Sequence, residues 1–295
     1  IVACIFMNFR SENFLTPNNI LNILRQISVY GILACGMAFA MMTGGIDLTV
    51  GSIAGVSGAV TALFVTRGTM PLILAMLVSI VLGAIIGLVT GFVISRTGIP
   101  PFIMTLGMQI TLRGACYLIC EGKPIGNLPD NLVNLGLGDI GGIPVPIFFM
   151  VGSFIVVGII LSRTSFGRSV YATGGNYQAA FHSGINAKRV VMTAYMISGI
   201  CAALAGIILT ARNASAQPTA GNTFETEAIA ACAMGGVSFN GGKGAVVGIF
   251  FGALLMGIIN NAMNLMYISS YWQQVVKGIV IIGSVLYSIY NSRKN

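Results

Sequence analysis

Few side chains in this sequence are equipped to do chemistry, and most stand alone in apolar surroundings. Asp47 follows Gly44-Gly45-Ile46, and Glu225 and Glu227 come just after Gln217-Pro218-Thr219, where an interfacial position is expected for both. A carboxylate placed like Asp47 has three uses: it or Thr49 caps the next helix, it gates a passage, or it carries a proton. Asn260 and Asn264 are spaced to share a helix face with Asn261 beside them. That face bonds another helix or touches a hydroxylated solute, and Gln109, Gln273 and Gln274 invite the same weighing. Gln217, with Pro218 and Thr219, reads as a rigid outer turn near a passage. The candidates for passage or gate are therefore Asp47, Gln109, Gln217, Asn260 and Asn264. Gly55-Val56-Ser57-Gly58 has the form of a serine nucleophile, but a nucleophile needs a base nearby. The one histidine, His182, lies in a distant polar loop, so Ser57 is a packing residue and no catalytic residue is assigned. The six cysteines contain no Cys-x-x-Cys pair and read as small buried side chains, with no metal site.

The elements that position these side chains must cross a membrane. Among 295 residues, 56% are hydrophobic and 7% charged, with a mean hydropathy of +0.90; a soluble domain carries about 25% charge. No charged side chain occurs between Arg67 and Arg96, Arg189 and Arg212, or Lys243 and Lys277. A helix needs roughly 20 apolar residues to cross the hydrocarbon. Residues 72–78 are continuously apolar, which excludes the alternating pattern of a membrane barrel. Spans are expected near 27–43, 49–66, 71–95, 101–120, 144–163, 190–211, 245–266 and 273–290, with 228–241 a short one. Adding a truncated first helix predicts an all-α polytopic domain over residues 1–295, with about ten membrane segments, some short or broken, by the span length above. Gly83, Gly87 and Gly91 form a ridge for close helix approach. The spacing of Gly44-Gly45…Gly51 is echoed by Gly235-Gly236…Gly242, as in transporters whose repeats carry broken helices.

The net charge of +8 comes from basic residues scattered between spans, so it reports topology rather than nucleic acid. Alternating the spans collects Arg96, Arg163, Arg168, Lys188, Arg189, Lys243, Arg293 and Lys294 on one side. Arg10, Arg25, Arg67, Lys123 and Arg212 fall on the other with Glu12, Glu121, Asp130, Asp139 and Glu225, and the richer side is cytoplasmic. The long loop 164–189 is then cytoplasmic. In it Asn176 is a suitable N-cap, 177–183 a two-turn helix, and Gly184 a left-handed stop. Ala179, Ala180 and Ile185 are the small apolar side chains it would offer to a partner.

Four stretches, "MTGGIDLTVGS" from Met42, "GGNYQAAFHSGIN" from Gly174, "ASAQPTAG" from Ala214 and "GGVSFNGGKGAVVG" from Gly235, together resemble the permease subunits of bacterial monosaccharide ABC importers. The similarity runs in order over nearly the whole chain. It implies a homodimer in the bacterial inner membrane, an ATPase with two nucleotide-binding cassettes beneath it and a periplasmic sugar-binding protein above. It implies a sugar, ribose first, with another pentose or hexose as the alternative; an ion-coupled secondary transporter is the competing class. The loop would carry the coupling helix, formed by Gly174, Gly175, Asn176, Ala179, Ser183, Gly184 and Ile185; His182 departs from the expected residue types and receives no role. Arg10, Arg25, Arg67 and Arg212 would meet acidic residues of the binding protein. No Walker motif occurs, so the chain binds no cofactor, and ATP with Mg would be used by the partner ATPase.

Overall fold

The computed structural model describes residues 14–294. Arg10 and the expected truncated first helix lie outside them. Among the described residues there are twelve helices and one two-residue β-hairpin. In chain order the helices are α1 Pro17–Met42, α2 Val50–Thr66, α3 Leu72–Thr97, α4 Pro101–Ile119, α5 Asp130–Leu137, α6 Val145–Arg163, α7 Ser165–Gly175, α8 Tyr177–His182, α9 Ala187–Arg212, α10 Phe224–Met234, α11 Val246–Leu265 and α12 Ser270–Lys294. The hairpin, β1 Asp139–Ile140 and β2 Ile143–Pro144, turns through Gly141 and Gly142, both at positive φ, as a two-residue hairpin loop requires.

The centre of the bundle is α1. Every residue from Ile27 to Met42 is buried, and a helix apolar on all sides belongs inside a protein. It begins ten residues before the expected span, because Thr16 caps it and Pro17 occupies its first turn. Arg25 is therefore part of α1 and not of a loop. Helix α9 packs against α1, α2 and α3. Between α3 and α9 the glycine ridge meets backbone: a Cβ on Gly87 would strike the Tyr195 carbonyl, and one on Gly83 the Gly199 carbonyl. Small residues thus bring two main chains together where lipid supplies no hydrophobic drive.

Among the described residues six helices, α1, α3, α4, α6, α9 and α11, are long and apolar enough to cross a membrane. The outward faces of α3, α4 and α6 carry Leu77, Val81, Ile85, Ile103, Ile110, Ile155 and Ile159, all exposed. Such a surface belongs in hydrocarbon. The chain is thus a multi-pass helical membrane protein. The expected spans 49–66 and 228–241 form helices of 17 and 11 residues. Both are short for the same reason: a pair of glycines interrupts the path beside each.

A candidate coupling and passage site

The first interruption sets a carboxylate in the core. Helix α1 ends with Gly44 at φ 87° and Gly45 N–H bonded back to the Ala40 carbonyl. The chain then dips so that Asp47, fully buried, accepts from Thr49 N–H at 3.0 Å, from the Thr49 hydroxyl, and from Ser198 Oγ of α9 at 2.7 Å. Thr49 precedes α2 but its hydroxyl donates to Asp47 instead of capping, so the expected simple cap is replaced by a turn pinned to α9. Ser198 had no sequence signal of its own.

The second interruption comes to the same place. Gly241 and Gly242 lie at positive φ, and Gly242 N–H donates to the Met42 carbonyl at 2.9 Å. Gly174, near the end of α7, is wedged between them: a Cβ there would collide with Met42 O and Gly242 N. The two glycine motifs that echo each other in sequence thus meet at one junction with Gly174, main chain against main chain, which only glycine permits. Tyr171 of α7 ties down the same segment by donating to the Gly244 carbonyl at 2.9 Å, and burial raises its hydroxyl pKa above the ordinary value.

From that junction projects a stiff knob. Three caps follow one another: Thr164 accepts from Gly167 N–H, Asn176 from Ala179 N–H at 2.9 Å, and Asn186 from Arg189 N–H. Ser183 Oγ bonds the Ala179 carbonyl, and Gly184, at φ 83°, sends Ile185 N–H back to the Ala180 carbonyl. The segment 164–189 is therefore two helices, α7 and α8, locked by side-chain and backbone bonds, rather than a loop with one helix. Gly175, Asn176, Ala179, Ser183 and Gly184 are exposed, and Ile185 is half-buried. Ala180, expected to face a partner, instead packs inward, and Phe181, 60% exposed, points out with Tyr177. Exposed aromatic residues outside the spans were the missed signal here.

Deeper polar groups form separate networks. Arg113 of α4 donates to the Ala220 carbonyl at 2.6 Å and the Pro218 carbonyl at 3.3 Å, clamping the turn that begins with Gln217; Gln217 itself is exposed. One turn away, Gln109 Nε2 donates to Glu225 at 3.0 Å. Asn260 Nδ2 reaches toward Glu227 at 3.5 Å, and Lys277 of α12 pairs with Glu227 at 2.5 Å. Glu225 and Glu227 are thus 6% and 4% exposed and engaged inside the bundle, correcting their expected interfacial position. Asn261 and Asn19 exchange two bonds of 2.9 Å. Asn264 sits in the last turn of α11, exposed, and accepts from Gln273. The amides that share a buried environment are therefore Asn260 and Asn261, not Asn260 and Asn264. Arg113 was overlooked although its own position, a charge within an apolar span, marks it.

Of the arginines expected at a docking face, Arg67 is exposed. Arg212 is half-buried, and Arg25 keeps its Nε buried inside the bundle, so neither reaches far into solvent. Among the described residues no group of histidines, cysteines or acids is arranged to hold a metal.

The geometry is a two-helix projection beside a bundle of membrane-spanning helices. A family model described as "Branched-chain amino acid transport system / permease component" matches residues 19–285. The chain belongs to this permease family. The Bacillus subtilis ribose import permease protein RbsC is 44% identical over 97% of the chain and 89% of its own length. The Escherichia coli D-allose transport system permease protein AlsC is 40% identical over 97% of the chain and 87% of its own length. The L-arabinose transport system permease protein AraH of the same organism is 37% identical over 95% and 85%. No solved structure matches the chain.

Proposed function

We propose that this permease imports a monosaccharide, ribose in the first instance, across the bacterial inner membrane, as one half of a homodimer with about ten membrane segments per subunit, some of them short or broken. A partner ATPase with two nucleotide-binding cassettes uses ATP and Mg, and a periplasmic sugar-binding protein delivers the solute. The observation that carries this reading is the junction of Gly174 with Met42 and Gly242 beneath a capped α8. Cassette closure pushes α8 sideways; α7, stiffened by its cap and by Tyr171, passes the displacement to the two broken segments. Gly175, Asn176, Ala179, Ser183, Gly184 and Ile185, with Phe181, form the knob that seats in the ATPase. Asp47, Gln109, Asn260 and Asn264 are the polar groups of the passage or gate, and Gln217 belongs to the turn facing the binding protein. Arg67 is the docking arginine, and its attraction for a partner's carboxylates reaches over one Debye length, about 8 Å at physiological salt.

The test is reconstitution. Liposomes holding the permease, its ATPase and a ribose-loaded binding protein should accumulate ribose only with ATP. Uptake by the permease alone, or uptake that follows an ion gradient without ATP, would sink the proposal. The relatives named for D-allose and L-arabinose make those sugars the competitors to include.

A further inference from the structure

Tyr195 of α9 is buried in the described structure, and its hydroxyl has no hydrogen-bond partner. A buried hydroxyl left unmatched costs about 1–3 kcal/mol, so such a group calls for an explanation. It lies directly against Gly45, two residues before Asp47, where a Cβ would collide with it. Ser198, which holds Asp47, is one helical turn further along the same face of α9. Beside the Gly44-Gly45 break is a cavity of about 340 Å³ lined by Thr43, Gly44, Gly45, Ile94, Tyr177 and Tyr195. The break therefore borders free space, and the same lining includes the first residue of α8.

We propose that Tyr195 is a positioning residue for transport: its hydroxyl is the second of two holds for Asp47, empty in this conformation, which we take as the nucleotide-free one, and filled in the nucleotide-bound one. When α8 shifts, Tyr177 leaves or enters the cavity, Gly44-Gly45 follows, and the carboxylate exchanges the Ser198 hydroxyl for the Tyr195 hydroxyl, which donates to it. No proton changes owner. The side chains of α9 act as a two-step rack that gives the Asp47 segment two defined positions. Gly45 is required because any side chain would stand between the hydroxyl and the path of the carboxylate. The inference rests on the import reading above, since it needs a cycle with two conformations.

The experiment compares Tyr195→Phe with Ser198→Ala in the complete transporter, permease with ATPase and binding protein, in nanodiscs and liposomes. Thermal stability is measured nucleotide-free and after trapping with ATP and vanadate, beside ATP-driven ribose uptake. Tyr195→Phe should leave the nucleotide-free form as stable as wild type or more so, lower the stability of the trapped form, and slow uptake between about tenfold and about a hundredfold, the weight of one hydrogen bond to a charged group. Ser198→Ala should do the reverse to stability, lowering the nucleotide-free form and sparing the trapped one. Tyr195→Phe with uptake within about twofold of wild type, or with a weakened nucleotide-free form, overturns the assignment, because a single hydrogen bond is worth more than that. A wild-type complex that imports no sugar overturns the function itself and this inference with it; wild-type uptake unchanged by Tyr195→Phe removes the inference alone.

Discussion

Replacing Lys277 by Met removes the partner of Glu227, and the structure sets the size of the effect. The ammonium and carboxylate are 2.5 Å apart, with side chains 25% and 5% exposed. Deleting one member of a fully buried pair costs about 3–5 kcal/mol because the other charge is left without compensation. Water reaches the lysine end here, and exposed pairs are worth far less, so about 2–3 kcal/mol is expected. The amide of Asn260, whose Nδ2 lies 3.5 Å from Glu227, is too distant to make up the loss. At roughly 2 °C per kcal/mol for a chain of this size, the midpoint should fall by about 4–6 °C. The assay is thermal unfolding in nanodiscs of Lys277→Met, Glu227→Gln and the double variant. The double variant should be more stable than Lys277→Met alone, because it buries no unpaired charge. Strict additivity of the two single losses, or a Lys277→Met protein as stable as wild type, would refute the reasoning and leave α12 without a polar anchor to α10.

Gly174→Ala should abolish uptake and lower folded yield, since its Cβ meets backbone, whereas Gly152→Ala on α6, with nothing within 4 Å, should transport at close to the wild-type rate; paired uptake measurements decide it. Gly184→Val faces no clash but must hold a β-branched residue at φ 83°, at a cost of about 1–3 kcal/mol. The expected result is ATP hydrolysis that continues while sugar uptake drops, read as the ratio of the two rates. Arg67→Glu should weaken binding-protein affinity several-fold at low salt and little at high salt; a salt-independent change would point to misfolding instead.

Much of the scaffold was legible because lipid enforces simple rules. Charge gaps located the long spans, Asn176 and Gly184 bracketed α8, and the ridge on α3 followed from spacing alone. What failed to show was tertiary in origin. The polar Asn18, Asn19, Asn22 and Arg25 hid the first two turns of α1, which survive because Asn19 pairs with Asn261 across the bundle. Asn260 and Asn264 looked like one face, yet α11 ends at Leu265 and the second amide falls in its fraying turn. Glu225 and Glu227 looked interfacial because their partners Gln109 and Lys277 come from distant helices. Arg113 was the avoidable omission: its spacing from Gln109 puts both on one helix face. Ser198 and Tyr195 carry no local pattern, and only the fold brings them to Asp47.

The meeting of Met42, Gly174 and Gly242 bears on how such a device can diversify. Main chain packed on main chain has no rotamers with which to absorb a push, so on the import reading proposed above the stroke would be set by backbone geometry and not by whichever residues surround it. On that reading, changes of cargo would be written elsewhere, in the receptor or along the walls of the conduit, leaving the lever arm itself untouched.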